Sequence, residues 1–144
     1  MTITRLQVEA VIAKRLGALL EEAGMSAGPG PNPHLTDPNA SALRALGYAP
    51  ASLADITDAD LATVTAAHLD PLLDLAELRT LESIASNLTV VDVTIGPVSE
   101  RKGMLADRIA KLVQDKRKSL QARWGNVLEQ PLEDMGGPVR LLAL

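Results

Sequence analysis

Between Asp70 and Trp124 the chain runs through three patterns that leave it little choice of architecture: a broad apolar helix, an alternating run and a long basic helix. In PLLDLAELRTLESIASNL, Leu72, Leu75, Leu78 (or Ala76), Leu81, Ile84, Ala85 and Leu88 recur at helical spacing. A stripe that wide predicts a helix packed on more than one side. Asp70-Pro71 opens it, because proline at the first helical position loses no hydrogen bond. The following TVVDVTI alternates by two, with Val91, Val93 and Ile95 on one side and Val90, Asp92 and Thr94 on the other. That pattern predicts a strand over 89–95, stopped by Gly96-Pro97. One strand is not stable alone, so this one needs a partner, either the C-terminal VRLLAL or another copy of the chain.

The third pattern predicts a helix over 99–123, with Leu105, Ile109, Leu112, Val113 and Leu120 as its apolar stripe and Trp124 at its end. It carries eight of the fourteen basic residues: Arg101, Lys102, Arg108, Lys111, Lys116, Arg117, Lys118 and Arg123. From Arg101 to Arg123 only Asp107 and Asp115 oppose them. From Asp37 to Asp92 the balance reverses, with nine acids against Arg44 and Arg79. The net charge of −4 therefore conceals an acidic zone and a basic zone. Solvated helix faces would account for both. So would copies that meet acidic side to basic side, as in a ring.

The remaining chain reads as shorter helices and loops. Thr4 and Gln7 have capping-box spacing. Val8, Ile12, Leu16, Leu19, Leu20 and Ala23 then form one face, and Arg5, Glu9, Lys14, Arg15, Glu21 and Glu22 fill the other. Gly24 is the stop. Three glycines and four prolines between Gly24 and Pro38 forbid a regular helix and predict a loop or an extended arm. His34, within it, reads as a solvated side chain. Asp37-Pro38 restarts a helix that ends at Gly47, with Ala42, Leu43 and Leu46 inward and Tyr48 packed over the end. Thr57 and Asp60 mark a further short start, with Leu61 and Val64 buried. His68 sits on a helix flank. The tail breaks at Gly125, Pro131 and Gly136-Gly137-Pro138 and closes on an apolar run. Val139, Arg140, Leu141, Leu142 and Leu144 therefore read as an arm that reaches a partner, or as a segment docked on the chain's own core.

Composition narrows the class. Leu, Ala, Val and Ile supply nearly all the apolar side chains, with no Phe, one Tyr and one Trp, which suits closely packed helices. Cysteine is absent, so neither a disulfide framework nor a thiolate metal site is available. The N-terminal MTITRLQVEAVIAKRL is too often charged for a signal peptide or a membrane span. No GxGxxG, Walker loop, GxSxG or HExxH occurs, and Asp55, Asp58 and Asp60 lack the glycine and closing glutamate of a calcium loop. The expectation is a non-enzymatic protein with no cofactor and no metal. Its fold class is mainly α: a small helical bundle with one short β segment and an extended C-terminal arm. The bundle covers 1–124 and the arm 125–144.

The order of these features resembles a known family. A short first helix and a Pro/Gly loop lead to DPNASALRALG, TDADLATV, LLDLAELRTLESIASNL, VVDVTIGP and a long basic helix. This is similar to the head-to-tail adaptor (head-completion, connector) proteins of tailed bacteriophages. The likeness covers residues 4 to 124 and is most specific over Leu72–Pro97. It implies a homo-oligomeric ring, commonly twelvefold, seated beneath the portal protein in the virion and assembled in the host cytoplasm. The ring would extend the DNA channel, touching DNA without sequence specificity, and would present a surface to a downstream tail or stopper protein. It also implies a C-terminal segment on the portal, and it carries over no catalytic residues. Two other classes remain open. One is a small helical nucleic-acid-binding or regulatory protein acting through 101–123. The other is a toxin–antitoxin-like module that mates through its acidic zone.

Overall fold

The computed structural model of the chain describes residues 3–25, 31–50, 56–91 and 97–128. Among them the fold is mainly α. Helices α1 (Arg5–Glu22), α2 (Thr36–Ala45), α3 (Asp58–Ala62), α4 (Leu69–Val91) and α5 (Pro97–Trp124) are joined with short 3-10 turns at Pro33–Leu35 and Ala66–His68. No described helix is long and apolar enough to cross a membrane.

Helix ends follow local chemistry. Thr4 caps α1 as a complete capping box: its hydroxyl accepts from the Gln7 N–H, and the Gln7 side chain accepts from the Thr4 N–H at 2.8 Å. Thr57 and Asp60 repeat the motif on α3. Gly24 and Gly47 follow α1 and α2 with φ of 71° and 90°, the left-handed conformation glycine takes without a Cβ clash. The start of α2 differs from the sequence reading. Asn32 caps the 3-10 turn at Pro33–Leu35, and that turn runs directly into α2 at Thr36. Asp37 therefore lies in the first turn of α2 instead of capping it, where it still faces the positive end of the helix dipole.

Helix α4 is the axis of the bundle and packs against α1, α2 and α5. Leu72, Leu75, Ala76, Leu78, Leu81 and Ile84 are all buried, which is the breadth its sequence predicted. Thr80, buried among them, donates its hydroxyl to the Ala76 carbonyl at 2.7 Å. Aliphatic side chains from α1, the Pro33–Leu35 turn, α2 and α5 complete one core: Val8, Ile12 and Leu16, then Leu35 and Leu43, then Ile109, Val113 and Leu120.

Three expectations change. The strand over 89–95 does not begin at Thr89, because Thr89, Val90 and Val91 form the last turn of α4. Once a helix is nucleated, each added residue gains a hydrogen bond. The β-branched penalty is only a few tenths of a kcal/mol per residue and does not outweigh it. Val93 and Ile95, the other two residues assigned to strand pairing, lie outside the described residues, and no strand occurs among the described ones. Leu112 does not belong to the buried stripe of α5: it is 43% exposed. Finally, α5 ends at Trp124, but the chain does not leave the body there. A turn follows, with the Val127 N–H donating to the Trp124 carbonyl at 2.9 Å, and Val127 and Leu128 still pack on the core. The portal-contact residues Val139, Arg140, Leu141, Leu142 and Leu144 lie outside the described residues.

Candidate functional site: the α4–α5 seam and the outer face of α5

Helices α4 and α5 run antiparallel, and their charged residues meet in order. Glu82 accepts from Arg117 Nε at 3.0 Å and also from its Nη2. Glu77 pairs with Lys116 at 3.2 Å. Asp74 accepts from Arg123 Nη1 at 3.2 Å and from the Trp124 indole N–H at 2.8 Å. Arg15 reaches across from α1 to both Asp74 (3.2 Å) and Glu77 (3.0 Å). Three acids of the acidic zone are thus neutralised by bases of the same chain. Asp74 is the centre of the seam: its side chain is 11% exposed and ties three helices together.

This divides the eight basic residues named from sequence. Lys116, Arg117 and Arg123 belong to the seam. Arg108, Lys111 and Lys118 are exposed on α5 and form no ion pair with a described residue. Arg101 and Lys102 lie in the first turns of α5. The exposed acids Asp107 and Asp115 share the helix with the three free bases, so the outer face is mildly, not strongly, cationic.

Two contacts escaped the sequence reading. Glu9 is a buried carboxylate, not a solvated one. It accepts from Arg5 Nε at 2.9 Å and from the Asn32 N–H at 2.8 Å, while Asn32 Nδ2 donates to the Met25 carbonyl at 3.1 Å. The ends of the Pro/Gly loop are thereby pinned to α1. The second is a relay at the base of α4. Tyr48 Oη accepts from the Thr65 N–H at 3.2 Å and stands 2.8 Å from His68 Nδ1, with the rings edge to face. The Tyr48 hydroxyl thus joins the end of α2 to both Thr65 and the His68 ring, which gives this histidine a structural contact. Tyr48→Phe should cost about 1 kcal/mol, read as a lowered denaturant midpoint; an unchanged midpoint would mean the relay does not hold α2 to the start of α4.

Among the described residues no cluster of three His, Cys, Asp or Glu side chains could hold a metal ion. An open apolar groove of about 380 Å³ lies between α1 and the start of α4, lined by Ile3, Gln7, Ala10, Val11 and Leu69. Comparison with protein families, curated proteins and solved structures gave no match to this chain.

Proposed function

We propose that the protein is a non-enzymatic structural subunit of a virion, a head-to-tail adaptor whose copies form a ring between portal and tail and extend the DNA channel. The observation that carries this reading is the order of sequence features from Thr4 to Trp124, which resembles that family. The described body is in keeping with it: a central α4 and a long α5 that turns Arg108, Lys111 and Lys118 outward. In the ring these three residues face the channel and meet DNA phosphates without reading sequence. The C-terminal residues 129–144 supply the contact to the portal or to an adjacent subunit. The acidic zone contributes less to contacts between copies than its sequence suggested, because Asp74, Glu77 and Glu82 are already engaged within the chain.

The test is reconstitution. The purified chain, mixed with a portal protein from the same genome, should form a ring of copies on the portal visible by electron microscopy. Failure to bind the portal overturns the reading. If the chain instead binds duplex DNA by itself, with an affinity that falls steeply with salt, the nucleic-acid-binding alternative takes its place. The exposed bases give a second prediction. Reversing Arg108, Lys111 and Lys118 to Glu should leave the thermal midpoint within about 5 °C of the parent, since each exposed substitution shifts stability by about 0.5 kcal/mol or less. The same variant should lower DNA retention in assembled heads. Unchanged retention would reduce these side chains to solvated surface.

A further inference from the structure

Among the described residues two large apolar side chains stand open to water, Leu6 of α1 at 53% and Leu112 of α5 at 43%. Leu6 borders the groove of about 380 Å³, since it neighbours Ile3 and Ala10 on the surface of α1. Ile3, Ala10, Val11 and Leu69 wall that groove, and Gln7 is its one polar side chain. Leu112 takes no part in the lining, so these two apolar surfaces can meet only between molecules.

The charges around them run in matching order. Arg15 of α1 meets Asp74 and Glu77 of α4, so Asp70, one turn earlier, lies toward the start of α1. Asp70 is exposed, adjoins Leu69 in the groove wall and forms no ion pair with a described residue. Asp58 accepts from the Arg5 N–H at 2.7 Å, which sets a second exposed carboxylate at that end. At the other end stands Lys14, exposed, likewise unpaired among the described residues, and one turn beyond Ala10 and Val11. The groove is therefore acidic, apolar and basic along its length. On α5, Arg108 lies one turn before Leu112 and Asp115 one turn after it. Both are exposed and form no ion pair with a described residue, so this flank of α5 is basic, apolar and acidic in turn.

We propose that α5 of a second copy seats Leu112 in this groove, with Arg108 against Asp70 and Asp115 against Lys14. Each copy then offers one groove and one leucine, the head-to-tail arrangement that can close into a ring. Lys111 and Lys118 lie about 100–120° round α5 from Leu112 and stay clear of the contact, with Arg108 at the border of the two faces. The contact rests on the ring reading for its closure alone; the pairing needs neither portal nor DNA.

The absence of cysteine lets introduced pairs report by themselves. At high concentration and without portal, the full chain carrying Val11→Cys and Leu112→Cys should oxidise into a ladder of dimers, trimers and larger species. Dilution should abolish the ladder, and either cysteine alone should give none. Glu22→Cys with Leu112→Cys, roughly 16 Å further along α1, should give none either. A ladder from both pairs, no crosslink from the first, or crosslinking that stops at dimers would overturn the head-to-tail contact. Charge exchange tests the orientation. In sedimentation experiments Lys14→Glu and Asp115→Lys should each weaken self-association severalfold, and the double variant should recover it. Single variants that associate as the parent does would reject the proposed orientation. Because no portal enters, failure here leaves the reconstitution test standing. A chain that passes here but ignores a portal keeps the contact and loses the adaptor reading.

Discussion

Replacing Ile109 with Ala should destabilise the chain by about 2–5 kcal/mol, whereas Leu112→Ala should change stability by no more than about 0.5 kcal/mol. The two residues are one turn apart on α5, and sequence alone puts both on its apolar stripe. In the fold Ile109 is fully buried against α4, and truncating it leaves a cavity that rigid neighbouring helices cannot fill. Leu112 keeps much of its surface in water, so its removal costs little. Urea unfolding of the two variants decides the matter. Equal losses would mean that α5 is rotated about its axis relative to the arrangement described.

The second large effect is expected at Asp74. Asp74→Ala removes the acceptor shared by Arg15, Arg123 and Trp124. The arginines are open enough to regain water, so their pairing contributes little by itself. The indole N–H is half-buried and loses a charged acceptor. A loss on the order of 2–4 kcal/mol should follow, with roughly half of it recovered in Asp74→Asn, whose amide oxygen still accepts one hydrogen bond. Fluorescence of Trp124, the single tryptophan, reports the local change directly. If Asp74→Ala unfolds at the parent's denaturant midpoint, the seam does not hold the C-terminal end of α5.

What could be read from sequence was local. The capping box at Thr4/Gln7, the helix start at Thr57/Asp60, the stops at Gly24 and Gly47 and the packing of α4 on more than one side depend on residues a few positions apart, and the fold contains them all. The pairing of charges was not legible. Asp74 finds Arg123 at a separation of 49 residues and Glu82 finds Arg117 at 35, distances over which only packing decides the neighbour. An apparent division into acidic and basic zones is therefore partly an internal seam. The same limit hid Glu9, whose partner Asn32 lies 23 residues on, and it misplaced Leu112, since helical spacing gives a stripe but not its edge. At Thr89–Val91 alternation and helix continuation compete, and a period of two over so few residues cannot outweigh the extension of a helix that reaches 23 residues.

The Glu9–Asn32–Met25 clamp has a consequence for how this protein can diversify. Its hydrogen bonds close the base of the segment between Met25 and Asn32 from outside that segment, through a carboxylate on α1 and a backbone carbonyl. Lengthening a loop whose ends are fixed is inexpensive, about 0.6 kcal/mol for each doubling. Extra residues inserted between 26 and 31 should therefore cost the bundle little, since the clamp on Met25 and Asn32 lies outside the inserted stretch.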